Sequence, residues 1–401
     1  MSNTLSVNVT KDIYYIGVND RETCLFENMW PLYDGVTYNS YLIVDEKTAL
    51  LDTVKINKVD DFLTKLDDAL GGKKLDYLVI HHMEPDHSSS IQTVINNYPD
   101  VKLVGNKKTI DMLKEFYNID DPEKTIEVKE GDKLELGSKS LTFMMTPMVH
   151  WPESMVSYET TDKILFSQDA FGGFGALNGP IFDDEINWKF YESETRRYYS
   201  NIIGKHSKQV QGVLKKMENL EIKMICPVHG PVWRTNPAKI VEEYTKWANY
   251  QTEEGVVIVY GSMYGNTATM ADAVARHLAE EGVKNIKMYD ASKTHASYII
   301  NDIWKYKGLI LGSCAYNNGL FPPMANLVNL IQMNNIKSHI LGIFGSFSWS
   351  GGGVKCLKEF ADQSDYDFID HIVEAKSSPK KEDLDSLAIL AKEMAKKLRG
   401  E

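Results

Sequence analysis

The sequence predicts a mixed α/β chain in two parts, the second a doubly wound parallel sheet. Three observations predict it. At 401 residues the chain exceeds the usual size of one domain. Four short β-forming runs in the first half each end at potential metal ligands. The second half alternates compact apolar strands with helix-period segments, the pattern of a parallel sheet.

Taken in order, 41–44 and 48–52 are apolar β-formers around Asp45-Glu46-Lys47, which predicts a hairpin. Residues 75–80 read as a strand running into His81. Residues 141–145 precede His150, 163–166 precede Asp169, and 223–226 precede His229. If these strands lie in packed sheets, their polar ends converge at one edge, where open α/β architectures place their sites. The character changes near 251–255, so the predicted domains are 1–252 and 253–401. Residues 255–260 form an apolar strand, followed by a glycine turn and a helix with Met270, Val274 and Leu278 on one face. Gly282 is its expected stop. Further strands are predicted at 285–289, 308–311 and 340–344. A last helix shows Leu384, Leu387, Ala391, Met394 and Leu398 on one face. There is no short internal repeat and no low-complexity tract.

Composition excludes several classes of function. A net charge of -12 argues against nucleic acid as the main partner, because phosphate binding needs a basic surface. No apolar run is long enough to cross a bilayer. Residues 1–20 lack a charged segment followed by an apolar one, so no signal peptide is predicted and the expected location is the cytoplasm. Cys24, Cys226, Cys314 and Cys356 are scattered, which argues against a disulfide framework and an all-cysteine metal site.

The densest chemistry is His81-His82-Met83-Glu84-Pro85-Asp86-His87. Pro85 disfavours a helix, so the ligands are expected on a loop. On extended backbone His82, Glu84 and Asp86 share a face, and His87 points elsewhere, towards a second metal. His150, Asp169 and His229 are candidates to complete two sites. A carboxylate such as Asp169 can bridge two cations through its two oxygens. Imidazole and carboxylate donors without thiolate suit iron or manganese as well as zinc. Each candidate alone has a plainer reading. His150 could be packed beside Trp151, and Asp169 could be a turn residue before Phe171-Gly172-Gly173. His229 lies in a proline-bounded loop that holds a ligand rigidly. His206 reads as solvated, and His81 as supporting the ligands or as structural.

The second cluster is Ser262-Met263-Tyr264-Gly265-Asn266-Thr267, between the 255–260 strand and its helix. Hydroxyls and bare N–H groups at a helix N-terminus suit a phosphate monoester. No Gly-Lys-Ser/Thr ends the loop, so it is not a Walker loop, and it is not Gly-x-Gly-x-x-Gly, which disfavours a dinucleotide. Two later segments suit a flat aromatic ring by stacking and edge hydrogen bonds. They are Ser313-Cys314-Ala315-Tyr316-Asn317-Asn318-Gly319 and Ser346-Phe347-Ser348-Trp349-Ser350-Gly351.

The first motif resembles the metal motif of the metallo-β-lactamase superfamily, His-x-His-x-Asp-His. Glu84 stands where the second histidine is usual, a replacement that the flavodiiron family shows. The second resembles the flavodoxin phosphate loop, Ser/Thr-x-Thr-Gly-Asn-Thr, with Tyr264 in place of a threonine. The resemblance covers nearly the whole chain. It implies a metallo-β-lactamase-like αββα sandwich over 1–252 and a flavodoxin-like FMN-binding domain over 253–401. It further implies two irons per subunit, one on His82, Glu84 and His150 and one on Asp86, His87 and His229, bridged by Asp169. His87 is the ligand that varies within the family. FMN would sit on residues 262–267, 313–319 and 346–351.

The activity so implied is reduction of dioxygen to water, of nitric oxide to nitrous oxide, or both, with dioxygen preferred. Electrons would come from rubredoxin or a similar small carrier, or from a deazaflavin. A head-to-tail homodimer or tetramer would bring FMN of one subunit to the irons of another. The rival readings are a zinc-dependent hydrolase with a regulatory flavodoxin domain, an electron carrier with a vestigial metal site, and a gas or redox sensor.

Overall fold

Tyr41–Val44 and Thr48–Leu51 pair antiparallel, as the alternation predicted, and form the middle of a seven-stranded sheet. In this computed structural model, which describes residues 6–401, the sheet runs Val7–Asn8, Ile13–Tyr15, Tyr41–Val44, Thr48–Leu51, Tyr77–Val79, Lys102–Gly105, Thr125–Glu127. It is antiparallel up to Thr48–Leu51 and parallel beyond. A five-stranded sheet follows, in the order Lys133–Glu135, Ser140–Met145, Met155–Glu159, Ile164–Gln168, Met224–Pro227, with only the last pair parallel.

One apolar cluster joins the two sheets. Tyr41, Ile43, Leu51, Val79 and Val104 of the first pack with Phe143, Met155, Ile164, Phe166 and Cys226 of the second. Each such side chain contributes about 1.5–3 kcal/mol on burial. The Tyr41 hydroxyl crosses this core to donate to the Pro227 carbonyl at 2.7 Å, so a polar group sits inside without loss. Helices cover the outside. Val59–Leu70 buries Phe62, Leu66 and Leu70 at helical spacing, completing an αββα sandwich.

The second unit holds a parallel sheet in the order Ile286–Asp290, Glu253–Gly261, Tyr306–Tyr316, Ile340–Phe347, Asp367–Phe368. Val373–Lys376 pairs with the far half of Ile340–Phe347. This 2-1-3-4-5 order is that of a flavodoxin-like sheet. Met270, Val274 and Leu278 bury against it, as do Leu387, Ala391 and Met394 of the last helix, Lys381–Leu398, while Leu384 and Leu398 are partly buried. Gly282 follows the helix Asn266–Glu280 with φ 89°, the conformation expected of a stop.

The two compact units are residues up to 199 with 206–245, and 200–205 with 246–401. The short piece 200–205 joins the second because Gly204 lies against the Trp304 ring and Asn201 donates to the Ser297 carbonyl. Hence the division falls at 246, slightly before the expected change at 252. All four cysteines are free. Among the described residues no helix is long and apolar enough to cross a membrane.

Candidate metal centre and flavin site

The ligand segment departs from the expected loop. Pro85–Ser88 is one helical turn with Glu84 at its N-cap and Pro85 first. Proline is tolerated there because the N–H it lacks would be unpaired anyway. His82 lies with Glu84 in one set of donors and with Asp86 and His87 in another, and His87, expected to point elsewhere, faces Asp86, Nε2 to Oδ2, at 3.2 Å.

The sandwich gathers the remaining residues. His82 follows the parallel strand Tyr77–Val79. Asp169 and His229 follow Ile164–Gln168 and Met224–Pro227, which are parallel neighbours. His150 lies in the connection between Ser140–Met145 and Met155–Glu159. The Gln168 side-chain amide donates to the Val149 carbonyl, fixing the approach to Asp169 against the His150 loop.

Two groups result, sharing Asp169, and His82 also lies within reach of Asp86 and His87 in a third set that links them. In the first, His82 Nε2 is 2.9 Å from Asp169 Oδ2, and His150 Nε2 is 2.9 Å from Glu84 Oε2 and 3.3 Å from Asp169 Oδ2. In the second, His229 Nε2 is 3.5 Å from Asp169 Oδ1 and 3.3 Å from Asp86 Oδ2. His87 joins this group through its own Nε2, 3.8 Å from Asp169 Oδ1. Both ring nitrogens of His82, both oxygens of Asp86, Asp169 Oδ2 and His87 Nδ1 are buried without a formed hydrogen bond, the close approaches among them being ion-pair contacts. Left so they are costly, and cations would satisfy them. The donors are nitrogen and carboxylate oxygen with no thiolate, which fits iron.

The electrostatics point the same way. Burial opposes charge on His150, but Glu84 and Asp169 outweigh it and raise its pKa to about 10. Burial likewise opposes ionisation of Asp169, yet His82 and His150 hold its carboxyl well below the usual range. His229 donates Nδ1–H to the Thr37 carbonyl at 2.6 Å, which fixes its tautomer. His81 is a supporting residue. Its Nδ1 lies 2.6 Å from Asp52 Oδ2 and its Nε2 2.8 Å from Ser157 Oγ, and it joins neither group. His206, expected in solvent, is half-buried.

Sequence reasoning missed Tyr198 and Glu27. Tyr198 donates to Asp169 Oδ1 at 2.8 Å from within the helix Trp188–Tyr198, where its spacing reads as core. Glu27 occupies a hairpin tip between Leu25–Phe26 and Trp30–Pro31. Its residue surface is exposed overall, but its carboxyl meets Glu84. Burial first, then the charge and hydrogen bond of Glu84, raise its pKa to about 7. An acidic turn residue carries no sequence signal for that contact.

In the second unit, three candidate segments follow three adjacent strands at their carboxyl ends. Ser262, Met263, Tyr264 and Gly265 form the loop before Asn266–Glu280, with Gly265 at φ 94° as N-cap. Ser262 Oγ accepts the Gly265 N–H at 3.1 Å. Ser313, Cys314, Ala315 and Tyr316 prove to be strand rather than loop, because Gly319–Leu320 folds back on Ala315 and Tyr316 through a turn at Asn317 and Asn318. Ser346 and Phe347 end the next strand, leaving Ser348, Trp349, Ser350 and Gly351 as the loop. The segments are locked together. Thr267 Oγ1 and Ser346 Oγ lie 2.9 Å apart, and Gly352 passes so close to Asn318 that a Cβ would meet its carbonyl oxygen at 2.2 Å. Around this floor Tyr264 and Trp349 are 93% and 90% exposed, free to stack on a ring.

Comparison with known proteins agrees with this geometry. The family described as ODP family beta lactamase matches residues 36–230, and the flavodoxin family matches 258–389. An anaerobic nitric oxide reductase flavorubredoxin of Vibrio vulnificus is 34% identical over 357 residues, covering 87% of this chain and 72% of the relative. Rubredoxin oxygen:oxidoreductase from Desulfovibrio gigas superposes with a TM-score of 0.94 at 31% identity, over 98% of this chain and 99% of that one. A flavodiiron protein from Giardia intestinalis superposes with a TM-score of 0.93 at 26% identity, over 98% and 97%.

Proposed function

This chain belongs to the flavodiiron protein family, and from that premise we propose that it is an oxidoreductase reducing dioxygen, nitric oxide or both. Its cofactors are FMN and a pair of irons. When bound, the irons and reduced FMN supply the electrons that take dioxygen to water or couple two molecules of nitric oxide into nitrous oxide. The observation that carries the reading is Asp169, whose two oxygens face two different groups of buried imidazoles.

The chain's own residues do the rest. His82, Glu84 and His150 would hold one iron, and Asp86, His87 and His229 the other, with Asp169 between. Thr37 and Tyr198 keep His229 and Asp169 in position for that task. Residues 262–267 would cradle the FMN phosphate on helix N–H groups. Tyr316, Trp349 and the strand ends at 313–319 and 346–351 would enclose the ring.

We assign the donor as rubredoxin or a similar small carrier, and the location as the cytoplasm. The assembly is a head-to-tail dimer or tetramer, in which FMN of one subunit serves irons of another. Dioxygen is the preferred substrate in this reading. The zinc-hydrolase alternative is disfavoured by the relatives, which are named as oxygen or nitric oxide oxidoreductases.

The test is anaerobic amperometry of the reduced protein given each gas in turn, beside Asp169→Ala. Wild type consumes gas and Asp169→Ala does not. Flavin-dependent gas consumption surviving in Asp169→Ala sinks the di-iron reading.

A further inference from the structure

We propose that Glu153 is a positioning residue of the metal centre, a buried carboxylate that ties the loop carrying His150 to the segment carrying His82 and Glu84. The inference rests on the ligand assignment made above. Glu153 is only 1% exposed. Its Oε1 accepts the backbone N–H of Met83 at 2.8 Å, and Met83 stands between His82 and Glu84. Glu153 is itself three residues beyond His150. One hydrogen bond therefore spans three of the four residues of the first group.

Its own backbone is anchored in turn. The Glu153 carbonyl accepts from Asn106 Nδ2 at 2.5 Å. The other end of that amide, Oδ1, caps the helix Lys107–Tyr117 through Lys108 and Thr109 N–H groups, each at 3.1 Å. The ligand segment is thus referred to a helix through two side chains, rather than held by the loops alone. Outer partners of this kind set ligand geometry and with it metal affinity.

Glu153 Oε2 is buried with no hydrogen-bond partner among the described residues, so the side chain's tie to the ligand segment is the one bond to Met83.

The experiment is anaerobic titration of the metal-free full chain with ferrous iron, followed by Mössbauer spectroscopy, for wild type, Glu153→Gln and Glu153→Ala. Glu153→Ala is expected to lose roughly 10- to 100-fold in affinity at one site of the pair, the usual effect of removing such a partner. The spectrum of that iron alone should change. Glu153→Gln, which keeps the acceptor, should recover most of the affinity and melt no lower than wild type when metal-free. Wild-type affinity at both sites in Glu153→Ala overturns the inference. So does an equal loss in both variants, which would place the effect on charge and not position. If wild type itself takes up no iron, the functional reading fails first and this one with it. Should Glu153→Ala not fold, Glu153→Gln still decides, because a loss as large as 10-fold there contradicts the positioning role.

Discussion

His87 and His229 point their Nε2 atoms at one another across 2.9 Å. The Nδ1–H of His229 is committed to the Thr37 carbonyl, so Nε2 is the nitrogen left to present a lone pair to a metal. Two facing imidazole nitrogens either share a proton or both serve a cation. His229 has the firmer support, because His87 Nδ1 has no partner. His229→Ala is therefore expected to lower bound iron from about two to about one per chain while sparing the His82 group. Elemental analysis of the purified variant checks it. His87→Ala should show a smaller loss of iron.

Metal uptake should release protons. In the metal-free protein burial opposes charge on His82 and His150, but the neighbouring carboxylates win, raising His82 well above its ordinary value and His150 to about 10. Both rings therefore carry a proton at neutral pH, and both must lose it to bind a metal. Iron affinity should rise with pH from neutrality towards the His150 value of about 10. The stability of the metal-free protein should move oppositely. A histidine whose pKa is raised on folding stabilises fully below its unfolded value, and that contribution is lost as pH climbs through the folded one. Calorimetric titration at pH 7 in buffers of different ionisation enthalpy would count the protons. A count of zero contradicts the prediction.

Flavin binding should be separable from metal binding. Gly352 has φ 126°, and a Cβ there would meet Asn318 O at 2.2 Å, an approach no backbone oxygen tolerates. Gly352→Ala must spread the 313–319 and 346–351 segments. The expected result is loss of FMN with iron retained, read from visible absorbance and iron content of one sample. Wild-type flavin content would show that the Asn318–Gly352 contact does not shape the site.

What the sequence made legible follows from range. Period-2 and period-3.6 patterns are local, so the 41–52 hairpin, the 255–260 strand and the buried face of the last helix could be read directly. His82, His150, Asp169 and His229 stood out because each follows an apolar run within a few residues and can bind metal. Pro85 misled, since a proline that forbids a helix interior is welcome at its first position. Tyr198, Glu27 and Glu153 stayed hidden because each acts through one tertiary contact, while its sequence surroundings are those of a core residue, a turn and a loop. Likewise Ser313 to Tyr316 looked like a loop because the backfolding Gly319–Leu320 is too short to show a period.

Tyr198 gives the sharpest test of how far support reaches. Its hydroxyl is buried and touches Asp169 Oδ1, which also faces His87 and His229. Tyr198→Phe keeps the ring that packs edge-on against Phe174 at 5.0 Å, so the change isolates one hydrogen bond. In the metal-free protein the buried carboxylate oxygen loses a donor. That costs about 1–3 kcal/mol, or a melting temperature lower by roughly 2–10 °C for a unit of this size. With iron bound the oxygen has a cation instead, and the stability difference between variant and wild type should shrink. Paired melting curves of both proteins, with and without iron, measure this. An equal difference in both states would mean that Tyr198 supports the fold and not the carboxylate.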